Sequence, residues 1–106
     1  MAFSDYGKHD GLGLAELVRK KKVSPAELVE EAISRIETYN PKLNAVVHKL
    51  YDRARTAAKG KLPDGPFKGV PFLMKDLMAT LEGIPTSGGN KLWKNIPATL
   101  IRNDAR

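Results

Sequence analysis

The chain has 106 residues, 42% of them hydrophobic, which suits one small domain and argues against disorder. It contains no cysteine, which excludes a disulfide scaffold, a thiolate metal site and a cysteine nucleophile. No apolar run reaches membrane-spanning length, and the first ten residues lack the apolar core of a signal peptide. We therefore expect a cytoplasmic protein.

The net charge of +6 raises the possibility of a nucleic-acid partner. However, the positive charge is scattered, and the one dense run, Arg19–Lys22, falls where a helix should end. Cations at that position complement the helix dipole and the last carbonyl groups. The run therefore favours a helix end over a nucleic-acid site.

Three helices are predicted. The first begins at the N-cap Asp10, and the second covers Ser24–Tyr39, where serine, proline and glutamate form a capping box and Asn40-Pro41 stops the helix. The second carries an apolar stripe of Leu28, Val29, Ala32, Ile33 and Ile36. The third covers Leu50–Lys59 and turns Tyr51, Ala54, Ala57 and Ala58 inward, with Gly60 as its stop. The short turn between the first two helices predicts an antiparallel pair.

Two short strands are predicted, at Asn44–His48 and at Val70–Met74. The second is apolar throughout, as in a parallel strand covered by helices on both faces. The element order is therefore helix, helix, strand, helix, strand and long loop. Because two strands do not make a stable sheet, an incomplete α/β fold is expected.

The segment after Leu81 is rich in glycine and proline and has no regular period, which predicts a long and functional loop. Trp93 is its large apolar side chain, and we expect it to anchor a core or an interface. We divide the chain into a loose N-terminus at residues 1–9, a domain portion at 10–98 and a divergent tail at 99–106.

Lys75 is the candidate for chemistry. It ends the apolar strand, and in open α/β sheets the ligand crevice lies beyond the carboxyl ends of the strands. An amine held among apolar groups can stay neutral near pH 7 and act as a base. From burial statistics alone, however, a surface lysine at a strand end is the more common case.

Four motifs in order point to a family. Gly69–Asp76 (GVPFLMKD) resembles the G-[VI]-P-x-x-x-K-D segment of the amidase signature family. Val23–Leu28, Asn40–Ala45 (NPKLNA) and Gly83–Gly88 (GIPTSG) resemble its helical pair, its turn and its small-residue loop. The resemblance covers about residues 10 to 98, nearly the whole chain.

The resemblance implies a fold and a mechanism. The members of the amidase signature family share a large α/β fold with a mixed central sheet and hydrolyse C–N amide bonds with a Ser–cis-Ser–Lys triad. Lys75 would be the triad lysine, drawing a proton through the bridging serine. Thr86, Ser87 and Gly88 would belong to a loop that borders the substrate. A small-molecule amide is the implied substrate, and no cofactor is implied.

The triad serines are missing from this sequence. Its serines are Ser4, Ser24, Ser34 and Ser87, and only Ser87 lies near the lysine, without the glycine-rich oxyanion loop that a nucleophile needs. We therefore expect an N-terminal fragment of an amidase that is inactive alone. Its last residues, Thr99–Arg106, are either a truncated helix or unrelated sequence from a frame change.

Two other functions stay open. The fragment could bind another chain, or itself, through exposed apolar faces, and less favoured is a small basic nucleic-acid binder. No metal site is expected, since His9 and His48 are single and far apart.

Overall fold

The computed structural model describes residues 3–77 and 79–97. The chain divides between Pro71 and Phe72 into two compact units. The first unit contains a short 3-10 helix, Ser4–Lys8, and three α-helices: α1 (Gly11–Arg19), α2 (Pro25–Leu43) and α3 (Tyr51–Lys59). None of the described helices has the length and apolar character needed to cross a membrane.

The two ends of α1 follow from its sequence. Asp10 caps the start, because its carboxylate accepts a 2.8 Å hydrogen bond from the Gly13 N–H. At the other end the N–H groups of Lys21 and Lys22 donate to the carbonyls of Val18 and Leu17, at 3.0 and 2.9 Å. This is a Schellman motif, with Lys21 in the left-handed position at φ 57°. The prediction that the basic run ends a helix is confirmed.

The start of α2 is the predicted capping box. The Ser24 N–H donates to the Glu27 carboxylate at 2.8 Å, and the Glu27 N–H donates to Ser24 Oγ at 3.2 Å. The hydrogen bond from the Ser24 N–H, followed by one that the Ser24 hydroxyl donates to the same carboxylate at 3.0 Å, holds the pKa of Glu27 below its ordinary value. Leu28, Val29 and Ile33 are buried, which confirms the inner part of the apolar stripe.

The core of the first unit lies where α1 meets α2. Leu14, Val23 and Leu28 form a buried cluster, and partly buried side chains pack around it: Phe3, Tyr6, Leu17, Val18 and Val70. Gly69 has φ +85°, and a Cβ there would lie 3.0 Å from both Val18 and Pro25 side chains. The glycine that opens the GVPFLMKD motif is therefore required both by its backbone angle and by this contact.

The predicted end of α2 at Asn40-Pro41 is wrong, since the helix continues through Pro41 to Leu43. Proline has no backbone N–H and so removes one helical hydrogen bond. This loss is tolerated in the last turn of a helix, where the carbonyl groups have no intrahelical donor in any case. The helix ends at Asn44, which adopts the left-handed conformation while its N–H donates to the Asn40 carbonyl at 2.7 Å.

The predicted strand at Asn44–His48 does not form. Instead, the Asn40 side chain accepts from the Val46 N–H at 2.8 Å and donates to the Val46 carbonyl at 2.9 Å. A side-chain amide has one acceptor and one donor side, so Asn40 satisfies the groups that a neighbouring strand would otherwise bind. This contact gives the NPKLNA motif a structural role.

The predicted strand at Val70–Met74 is also not formed. Phe72 and Leu73 are 76% and 67% exposed, so this run is not buried on both faces. A strand needs a partner ladder, and the described residues contain only an isolated antiparallel bridge between Pro85 and Pro97. The expected α/β content is thus not seen: the described secondary structure is helical.

The second helix, α2, also lies against α3. Glu30 and Arg55 form a two-pronged ion pair at 2.6 and 3.1 Å, and Glu37 accepts from Tyr51 Oη at 2.6 Å. No residue of α3 is buried, and the prediction that Ala57 faces inward is wrong because it is exposed. Polar contacts therefore hold α3 against α2.

Candidate functional site

The candidate site lies within the second unit, at two segments about ten residues apart. Lys75 and Asp76 follow the apolar run Val70–Met74, and Lys75 is exposed. Thr86 and Ser87 are partly buried, and Gly88 is exposed. The structure brings the segment that contains Lys75 together with the loop that contains Ser87.

Asp76 makes this contact. Its Oδ1 accepts a 2.7 Å hydrogen bond from the Ser87 N–H, and its Oδ2 accepts from the Ser87 hydroxyl. Its backbone carbonyl accepts from the Gly88 N–H at 3.0 Å. Carboxylate acceptors make stronger hydrogen bonds than neutral ones, so Asp76 is the main polar anchor of the loop.

The loop needs glycine where it turns. Gly88 and Gly89 have φ +56° and +76°, in the left-handed region that L-residues rarely adopt. The turn is closed by the Asn90 N–H, which donates to the Ser87 carbonyl at 2.9 Å. The Ser-Gly-Gly sequence thus places the Ser87 and Gly88 N–H groups toward Asp76.

Sequence reasoning missed Asp76. It identified Lys75 and the loop residues Thr86, Ser87 and Gly88 but treated the aspartate only as part of a motif. The available signal was a carboxylate directly after the candidate lysine, with a downstream serine and glycines that could offer N–H groups to it.

Ser87 is poorly arranged as a nucleophile. Its hydroxyl and its own N–H both donate to the Asp76 carboxylate, and the next N–H donates to the Asp76 carbonyl. The backbone donors that an oxyanion hole would require are therefore already used. The arrangement fixes a loop and leaves the Ser87 and Gly88 N–H groups unable to stabilise an oxyanion beside Ser87.

The other serines have separate structural positions. Ser24 caps α2, Ser34 is exposed on that helix, and Ser4 opens the 3-10 helix. In residues 3–77 and 79–97, no three His, Cys, Asp or Glu side chains cluster as metal ligands would. Trp93 is 54% exposed, so it anchors no core in this structure.

Comparison with solved structures relates this fold to a known enzyme. The crystal structure of a bacterial aryl acylamidase belonging to the amidase signature enzymes family matches with a TM-score of 0.77 and 40% identity. The match covers 86% of this chain and 20% of that enzyme.

Curated relatives agree with the structural match. The 6-aminohexanoate-cyclic-dimer hydrolase of Pseudomonas sp. (strain NK87) is 42% identical over 74 residues, covering 70% of this chain and 15% of the hydrolase. The lipoamidase of Enterococcus faecalis is 42% identical over 87 residues, covering 81% of this chain and 12% of the lipoamidase. The acylamidase of Rhodococcus erythropolis is 38% identical, covering 74% of this chain and 18% of the acylamidase.

The Amidase family model matches residues 27–105, most of the chain. The chain belongs to the amidase family, and the resemblance seen in its motifs is confirmed. It spans less than a fifth of the length of each of these three curated relatives.

Proposed function

We propose that this chain is the N-terminal segment of a hydrolase that cleaves C–N amide bonds, and that Lys75 is its catalytic lysine. The observation that carries the proposal is the placement of Lys75. It lies in the family-matched segment, directly before the aspartate that binds the Thr86–Gly88 loop. Small-molecule amides are the proposed substrates, in keeping with the names of the relatives.

In the proposed reaction Lys75 acts as a neutral amine. It accepts a proton through a bridging serine, so that a second serine can attack the amide carbonyl. Backbone N–H groups stabilise the negative charge that develops on the carbonyl oxygen. Both serines and these N–H groups would come from outside this chain, because the Ser87 and Gly88 N–H groups are bound to Asp76 and form no oxyanion hole beside Ser87.

The proposal includes inactivity of the chain alone. Lys75 is exposed here, whereas a neutral lysine base needs apolar cover. Phe72 and Leu73 on the preceding segment are also largely exposed, as expected for residues that lack their packing partners.

A second candidate function rests on the same exposed residues. Phe72 and Leu73, and Leu92 at 83% exposure, are unusual on the surface of a small monomer and favour binding to another chain or to itself. Sedimentation measurements at several protein concentrations test self-association. Assembly that is lost on Leu73→Asp would support this function.

The activity test pairs the isolated chain with a fusion. In the fusion, this chain replaces the matching segment of the bacterial aryl acylamidase. We expect no hydrolysis of an aryl amide by the isolated chain and lysine-dependent hydrolysis by the fusion. Lys75→Ala should reduce kcat by about two to four orders of magnitude, as for a positioned general base.

Two controls make the activity test specific. Lys75→Arg should rescue little, because guanidinium stays protonated. Lys68→Ala, which removes an exposed lysine paired with Asp64, should leave kcat unchanged. A folded fusion that is active without Lys75 would contradict the proposed role, and turnover by the isolated chain would contradict the need for outside serines.

A further inference from the structure

Asp76 holds both the Lys75 segment and the loop that contains Ser87. The carboxylate accepts hydrogen bonds from both the N–H and the hydroxyl of Ser87, and the Gly88 N–H donates to the backbone carbonyl of Asp76. Three hydrogen bonds therefore join two segments separated by 11 positions in the chain.

We propose that Asp76 is a positioning residue of the amidase site, which sets the distance between Lys75 and the substrate-bordering residue Thr86. Lys75 directly precedes Asp76, and Thr86 directly precedes Ser87, so each is one peptide unit from the contact. This inference rests on the proposed function and adds to it a residue that does not itself react.

The geometry separates this role from that of a base for Ser87. A base would leave the serine oxygen free to approach a carbonyl with N–H donors near it. Here the Ser87 N–H and the Gly88 N–H are both bound to Asp76. Removing the Asp76 carboxylate should therefore loosen the loop, and it should not make Ser87 a nucleophile.

The loop contact is tested on the full chain by amide hydrogen exchange. In Asp76→Asn the side chain keeps its shape but loses one of its two acceptor oxygens. Exchange at Ser87 and Gly88 should become about ten- to a hundredfold faster, as for loss of a hydrogen bond to a charged group. Asp64→Asn, an exposed aspartate of the other unit, is the matched control and should leave both amides unchanged.

Substitutions of Ser87 test the hydroxyl as a hydrogen-bond donor to Asp76. Ser87→Thr keeps the N–H and the hydroxyl and should preserve slow exchange at Gly88, whereas Ser87→Ala loses the hydroxyl bond and should speed it. If Ser87 only filled space, Ser87→Ala and Ser87→Thr would leave amide exchange at Gly88 equally slow. Equal exchange in Asp76→Asn and in the unmodified chain would overturn the proposal.

Activity of the fusion described above tests positioning itself. In a fusion that depends on Lys75, Asp76→Asn should raise KM and lower kcat together, about tenfold or more in kcat/KM, and Asp64→Asn should change neither. A Lys75-dependent fusion that is indifferent to Asp76→Asn contradicts this inference alone. A folded fusion that is inactive or independent of Lys75 contradicts the proposed function and the inference together, while the exchange result still reports whether the loop contact exists.

Discussion

At the scale of single residues, a few side chains lie at helix ends in conformations that are unusual for their residue type or that suit it well. Lys21 occupies the left-handed position that ends α1, where glycine is usual, and Asn44 occupies the same conformation after α2, where asparagine is well tolerated. Asn40 uses its amide to satisfy the backbone of Val46. These local solutions, more than core burial, determine where the helices stop.

Lys21→Gly should stabilise α1. Glycine adopts φ 57° without the Cβ clash, and the expected gain is about 0.5–1 kcal/mol after the greater freedom of the unfolded glycine is counted. Amide exchange at Leu17 and Val18 measures the effect. Lys22→Gly is the matched control, because Lys22 is not among the positive-φ residues, and it should destabilise. Equal effects of the two changes would mean that the left-handed position is not strained.

Tyr51 should titrate late. Partial removal from water, followed by the hydrogen bond to the Glu37 carboxylate, raises the pKa of Tyr51 from about 10 to about 12. The neutral phenol is favoured in the folded state, so its contribution to α2–α3 packing is complete below pH 10 and is lost as the pH rises from 10 toward 12.

Ultraviolet absorbance of the phenolate follows this titration. Glu37→Gln should lower the pKa of Tyr51, since it removes the acceptor charge, whereas Glu82→Gln should leave it unchanged. A Tyr51 that ionises at the ordinary value in the unmodified chain would mean that its contact with Glu37 does not persist in solution.

At the scale of elements, α2 organises the first unit. Its N-terminal half buries Leu28, Val29 and Ile33, and its exposed side binds α3 through Glu30 and Glu37. Exposed ion pairs contribute little to stability, so the buried stripe is the stronger of these two contacts. Substitutions in the stripe should therefore cost more than substitutions at the cap.

Ser24→Ala and Ile33→Asp compare the cap with the stripe. Loss of the capping box should cost about 1 kcal/mol, and an unpaired carboxylate at the 9% exposed position of Ile33 should cost several times more. The measurement is amide exchange along α2, with Ser34→Ala, at an exposed position of the same helix, as the control. Similar costs for the first two changes would mean that the stripe is exposed in solution.

At the scale of the whole molecule, the apolar surface is incompletely covered. The core cluster has three buried members, while Phe72, Leu73, Leu77, Leu92, Trp93 and Ile96 are each more than half exposed. Stability of a small domain depends on the apolar area that it buries. The described residues leave much of that area in water.

The isolated chain should therefore be helical but lack a cooperative thermal transition. Circular dichroism followed at 222 nm should show a broad, gradual loss of helix, and calorimetry should show no single heat-absorption peak. The fusion with the remaining amidase segment supplies the matched comparison and should melt sharply. A sharp two-state melt of the isolated chain would identify it as a self-sufficient domain.

Local sequence signals predicted the three α-helices, the N-terminal caps of the first two and the family, because capping boxes, apolar periods and ordered motifs act over a few residues. Contacts between distant segments decided two other features: the absence of strands among the described residues and the contact of Asp76 with Ser87. A strand forms only when another segment supplies its hydrogen bonds, so the apolar pattern of Val70–Met74 was insufficient. The contact of Asp76 with Ser87 joins positions whose proximity depends on the path of the chain between them, and local propensity carries no information about that path.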